Sequence, residues 1–147
     1  MIALSTKGRY GARLMLELAL CYGREPVLLK DIAKRQAISE GYLQHLLPAL
    51  KAAGLVNSTR GAHGGYMLAK PPSKITLKEV VQAMEGSLAP VRCIDAPSLC
   101  RRVRYCVTRD IWQDLRDNIS RILESVTLQD MAERQRKNGK YSPTYSI

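Results

Sequence analysis

The sequence has no phenylalanine, only one tryptophan and two histidines, and its 13 acidic residues are outnumbered by 23 basic ones. Without phenylalanine a core must be assembled from Leu, Val, Ile and Ala. The 46% apolar content of 147 residues allows that, either as one compact domain or as a small domain with an appended dimerisation segment. No uncharged run approaches the ~18 residues that would span a membrane. The first apolar stretch, residues 14–22, is short and broken by Glu17, so neither a membrane helix nor a targeting segment is expected, and the cytoplasm is the expected compartment. A nucleotide-binding glycine motif and a paired-carboxylate signature are both missing, which argues against an enzyme. Internal repeats, low-complexity segments and a basic tail are missing as well.

What is present is charge. The net +10 and pI near 9.7 favour a polyanionic partner, because each Lys or Arg that neutralises a phosphate also releases condensed counterions. Residues 1–70 carry ten basic and four acidic groups, and residues 71–147 carry thirteen and nine.

The periodicity predicts a mainly α chain built on a winged helix-turn-helix, with a small β-hairpin wing and a long C-terminal helix. Ser5 caps a first helix to about Tyr22, with Tyr10, Leu14, Leu18 and Cys21 at helical spacing and Gly23 at its end. Residues 28–36 follow, with Leu28, Ile32 and Ala33 on one stripe and Lys30, Lys34 and Arg35 opposite. After a very short connection Ser39 caps the next helix, whose inward stripe is Tyr42, Leu43, Leu46, Leu47 and Leu50. Residues 55–59 and 66–69 pair as a hairpin around a glycine-rich tip. Pro71-Pro72 marks a boundary, dividing a DNA-binding domain over residues 1–70 from a cysteine loop and dimerisation region over residues 71–147. Thr76 and Glu79 form a capping box for a helix to about Glu85, and Thr127 with Asp130 cap a last helix to about Lys137, beyond which the tail looks frayed. Between them lies a long helix with Ile111, Leu115, Ile119, Ile122, Leu123 and Val126 as its seam.

Two helices joined so closely cross steeply and leave the start of the second free to enter a major groove. Ser39, Glu40, Tyr42, Gln44 and His45 are the side chains that geometry would present to DNA. Gln44 is the candidate for base readout, since a carboxamide pairs bidentately with adenine. At the wing, Arg60 is followed by Gly61, Ala62, His63 and Gly64, with no bulky group to keep the backbone from a narrow minor groove. His63 reads as a phosphate contact or a spectator rather than a metal ligand. The competing interpretation is a core helix with a solvated outer face beside an ordinary hairpin.

From Gly86 to Thr108 the periodicity disappears, and this stretch holds Cys93, Cys100 and Cys106 among Arg92, Arg101, Arg102 and Arg104. The C-x6-C-x5-C spacing is unlike the C-x2-C knuckles of structural zinc. Three thiolates suit an iron-sulfur cluster that takes its last ligand elsewhere, and three reduced thiols without metal fit the spacing equally well. Cys21, on the apolar face of the first helix, reads as core filler.

Several stretches together, LSTKGRYGARLMLELAL, DIAKRQAISEGYLQHLL, STRGAHGGYMLAK, ITLKEVVQAMEG, the cysteine triad, TRDIW and SVTLQDM, make the chain resemble the IscR, NsrR and RirA family of bacterial iron-sulfur regulators, the Rrf-two type, over nearly its whole length. The resemblance implies a homodimeric repressor or activator that binds a rough palindrome in double-stranded DNA. It also implies an iron-sulfur cluster held by Cys93, Cys100 and Cys106, in 2Fe-2S form ahead of 4Fe-4S, and a long C-terminal dimerisation helix, from about Arg109, that pairs across the dimer. In IscR a histidine three positions after the third cysteine completes the coordination, and Arg109 stands there in this chain. The fourth ligand is unassigned: the oxygen donors at hand are Asp95, Asp110, Asp114 and Glu17, and a water or a thiol is equally open. A cluster-free regulator controlled by thiol oxidation or by a partner protein is the alternative.

Overall fold

The computed structural model describes residues 3–62 and 64–138. Among these residues seven α-helices and one hairpin follow in the order α1 (Thr6–Leu20), α2 (Leu29–Gln36), α3 (Glu40–Ala52), β1 (Val56–Thr59), β2 (Gly65–Leu68), α4 (Leu77–Glu85), α5 (Arg92–Asp95), α6 (Val107–Glu124) and α7 (Leu128–Lys137). This is the expected winged helix-turn-helix. The fraying expected of the C-terminal tail, like the tip residue His63, falls outside the described residues. Among the described residues no helix is long and apolar enough to cross a membrane.

Capping chemistry sets most of the helix starts. The Ser5, Ser39, Thr76 and Thr127 hydroxyls each accept a backbone N–H from the first turn, and Glu79 and Asp130 complete capping boxes. The two boxed caps lie back to back. Leu77 N–H donates to the Val126 carbonyl at 2.8 Å and Leu128 N–H to the Ile75 carbonyl at 2.9 Å, which stitches the start of α4 to the start of α7. Leu28 has no side-chain cap and sits outside α2 as its N-cap residue. The inward position of that helix is therefore Leu29, 6% exposed, and not Leu28, which is 42% exposed.

One core runs through both halves of the chain. Leu14 and Leu18 of α1, Ile32 of α2, Leu43, Leu46 and Leu50 of α3, and Leu68 of β2 share a cluster with Ile75, Val80, Met84 and Leu128. Each such leucine contributes about 2 kcal/mol of burial. The packing of α1 on α4 is the most extensive between any two elements, and a glycine makes it that close. A Cβ at Gly11 would stand 2.6 Å from Met84 Cγ. At the same interface the Glu85 carboxylate reaches across to the start of α1, accepting from Ser5 N–H at 3.0 Å, Gly8 N–H at 3.2 Å and the Ser5 hydroxyl.

No residue of α6 is buried. Its apolar positions split into two sets instead of forming the single seam that the periodicity suggested. Ile119 and Leu123 are half-buried, as is Val126 just beyond the helix, which packs on α4 and α5. Val107, Ile111, Leu115 and Ile122 are 72, 54, 37 and 64% exposed. At ~100° per residue these four fall within about 80° of arc, so they form a bare stripe.

Candidate nucleic-acid interface and cysteine segment

Three residues separate α2 from α3. Ala37 closes α2 in the left-handed region (φ 54°, ψ 45°), and Ile38 N–H returns to the Ala33 carbonyl at 3.1 Å. A left-handed residue there turns the chain sharply enough to start α3 at once. Leu43, Leu46, Leu47 and Leu50 anchor the inner face of α3, while Glu40, Gly41, Gln44, His45, Pro48 and Lys51 stay exposed on the outer one. Pro48 cannot donate to the Gln44 carbonyl four residues back, a defect that costs about 3 kcal/mol in a helix interior. Here both residues lie on the exposed face, and the four leucines hold the helix together across it.

Of the five residues singled out on this helix, Ser39, Glu40, Gln44 and His45 are exposed. Tyr42 is half-buried, and its ring meets Tyr10 of α1 edge to face, with centroids 5.6 Å apart. The wing stands beside α3. Lys51 Nζ donates to Ser58 Oγ at 3.0 Å, and β1 pairs antiparallel with β2 from Val56 opposite Leu68 to Thr59 opposite Gly65. Val27 bridges the outer edge of β2 through two hydrogen bonds to Tyr66. Arg60 and Gly61 project at the tip. Gly64 and Gly65 are there because nothing larger fits: a Cβ would lie 2.6 Å from the Thr59 carbonyl oxygen at the first and 2.6 Å from that of Val27 at the second.

Behind α3 lies a polar network that sequence reasoning missed. Arg13 Nε donates to Gln36 Oε1 at 2.7 Å and its other nitrogen reaches the Gln36 backbone carbonyl. Gln36 Nε2 donates to Glu17 Oε1 at 2.5 Å, and Arg35 pairs with Glu17 Oε2 at 3.3 Å. Glu17, 1% exposed, ties α1 to the end of α2 just before the turn. Its position among apolar residues of α1 was the available signal, since a carboxylate on a buried stripe requires partners.

The three cysteines of the expected triad lie in one segment but on different pieces of it. Cys93 is in α5, Cys100 follows a 3-10 turn at Pro97–Leu99, and Cys106 is the N-cap of α6. All are free and partly exposed, and among the described residues no group of three or more Cys, His, Asp or Glu is arranged to hold a metal ion. Cys106 is the distinctive thiol. A hydrogen bond from the Thr108 hydroxyl, at 3.2 Å, and one from the Arg109 backbone N–H hold its pKa below the ordinary thiol value. Cys21 goes the other way, pushed up by burial that nearby Arg35 only partly offsets. It lies outside the main core cluster and lines a cleft of about 370 Å³ between the end of α1 and β2. Because a lowered pKa preserves thiolate to lower pH, Cys106 should be alkylated by iodoacetamide fastest of the four at pH 7, and its rate should level off at lower pH than that of Cys21. Peptide mapping after a timed pulse checks both.

Arg109 links two elements. Its guanidinium donates to the Cys93 carbonyl at 3.3 and 3.4 Å and to Gln113 at 3.5 Å, binding α5 to α6. A permanent cation cannot ligate a metal. Glu17 is excluded as an oxygen donor, because Gln36 and Arg35 hold its two oxygens inside the protein. The Asp95 carboxylate accepts from Ser87, and Asp110 and Asp114 are exposed on α6.

Comparison with known proteins agrees with this architecture. A family described as Rrf2, iron-dependent transcriptional regulator, matches residues 4–134. The protein rrf2 of Nitratidesulfovibrio vulgaris is 43% identical over 128 residues, covering 87% of this chain and 85% of the relative. The solved structure of CymR, the global cysteine regulator of Bacillus subtilis, is 40% identical with a TM-score of 0.76, covering 91% of this chain and 98% of that one. The structure of IscR from T. potens is 38% identical with a TM-score of 0.78, covering 98% and 95%.

Proposed function

Since this chain belongs to the Rrf2 family of DNA-binding transcriptional regulators, we propose that it acts in the cytoplasm as a homodimer on a roughly palindromic operator. In this reading residues 1–70 grip DNA, and residues 71–147 supply the sensing segment and the dimer helix. The observation that carries it is the exposed outer face of α3 beside the wing. Ser39, Glu40, Gln44 and His45 stand clear there, with Arg60, Gly61 and Gly64 at the adjoining tip. Two such faces, one duplex turn (~34 Å) apart, would read the two half-sites. Tyr42 then supports the surface more than it reads it, and His63 is the remaining tip contact. The bare apolar stripe on α6 is where the second copy would seat.

Gln44→Ala is expected to narrow discrimination between operator and single-base variants about tenfold or more, at one half-site position, as loss of a bidentate pair does. Competition band shifts measure it, and an equal loss on every sequence would mean the reading surface lies elsewhere.

The donor set suits an iron-sulfur cluster, 2Fe-2S in first place. It has three soft thiols within one segment, one of them disposed to ionise and several arginines to offset the negative charge. Cys93, Cys100 and Cys106 would hold it, with Asp110 or Asp114 as oxygen donors in reach by sequence. Bound there, it would give the protein a state responsive to iron supply and oxidation. A second reading, direct thiol oxidation, is favoured by the separate placement of the three cysteines and by the partly exposed, readily ionised Cys106. Anaerobic reconstitution decides between them. Visible absorbance with about two irons and two sulfides per chain, lost in a Cys93→Ala variant, is expected; a colourless, iron-free product would leave the thiol reading.

A further inference from the structure

We propose that Arg9 of α1 is a further DNA contact, a phosphate clamp flanking the reading helix; the proposal rests on the reading surface assigned above. The Arg9 guanidinium carbon lies 5.7 Å from the Tyr10 ring centroid, and that ring abuts Tyr42 in the first turn of α3 at 5.6 Å. Arg13 sits against the same ring at 5.1 Å, but two of its guanidinium nitrogens donate to Gln36. Arg9 is exposed, and its one polar contact among those described is a 3.4 Å bond to Thr6. A guanidinium within about 6 Å of an aromatic ring is attracted to it without using up its N–H donors, which stay available to an anion. Tyr10 therefore presents Arg9 beside the exposed residues that begin α3.

A second observation is independent of that geometry. The first turn of α1 carries Lys7 and Arg9 and no acidic residue, whereas the first turn of every other α-helix described holds one. Cations at the positive end of a helix dipole oppose folding by a few tenths of a kcal/mol each. Such a local conflict is expected where function sets the residue, and the chain brings Glu85 across from α4 to compensate. The anion chemistry in question is the phosphodiester, since a polyanion is what a family of DNA-binding regulators meets.

The test uses the full-length dimer on operator and scrambled duplexes between 50 and 300 mM KCl. Arg9→Ala should make the slope of log affinity against log salt shallower by about two per dimer, one phosphate per subunit at ~0.9 each, with equal loss on both duplexes. Arg9→Lys should restore most of the slope, and denaturation midpoints check that both variants stay folded. An unchanged slope for folded Arg9→Ala overturns the proposal. Arg60→Ala, measured alongside, separates the two inferences: if its slope changes and that of Arg9→Ala does not, only the clamp fails, and if neither changes, the reading surface itself is misplaced.

Discussion

Replacing Glu17 with alanine is expected to destabilise the protein by about 3–5 kcal/mol, the range for removing one partner of a buried ion pair. The Glu17 side chain is 2% exposed and that of Arg35 11%, so water cannot fill the gap cheaply. Loss of the carboxylate removes the Arg35 counter-charge at 3.3 Å and the acceptor for Gln36 Nε2, whose oxygen and backbone carbonyl orient Arg13. The damage falls at the last residue before the left-handed turn at Ala37, so the entry angle of α3 should loosen together with the core. Urea denaturation monitored by circular dichroism measures the stability, and the melting temperature should drop by roughly 10 °C or more. Glu17→Gln keeps an acceptor for Gln36 but not the charge, and should fall between. Joint replacement, Glu17→Leu with Arg35→Met, should recover much of the loss, because an apolar pair of similar size avoids desolvating either charge. A single-variant loss below about 1 kcal/mol would show that the network is incidental.

The second large effect is expected on α6. Ile111→Glu with Leu115→Glu places two charges per subunit on the stripe proposed to seat the second copy, where Ile111 is 54% and Leu115 37% exposed in the isolated chain. Folding of the subunit should be almost untouched, since neither side chain belongs to the core cluster. Association should fail, and sedimentation should report a single chain. Operator affinity should then fall by roughly 10²–10⁴, the loss that follows when two linked half-site contacts become independent. Persistence of a dimer in this variant would locate the interface elsewhere.

Features written in local hydrogen bonding were legible in the sequence. The Thr76–Glu79 and Thr127–Asp130 boxes place the starts of α4 and α7 where the residue pattern does, because a cap needs only residues three apart. Where no cap side chain exists, at Leu28, the inward position of α2 is displaced by one residue. Helix α3 runs through Pro48 because four buried leucines outweigh one missing bond, a balance that becomes visible only in three dimensions. The turn at α5 is four residues long and tied to α6 by Arg109, so no periodicity could announce it. Candidate reading residues could be chosen from the sequence because exposure follows helical spacing. The Arg13–Gln36–Glu17–Arg35 chain could not, since its members come from two helices whose approach the tertiary fold decides.

The clasp of Glu85 on the first turn of α1 has a consequence for the cysteine segment. Glu85 is the last residue of α4, and the next residue, Gly86, opens the stretch that carries the three cysteines. The cysteine-bearing stretch therefore starts one residue from three hydrogen bonds to Ser5 and Gly8, and α1 in turn meets the first turn of α3 through the Tyr10–Tyr42 pair.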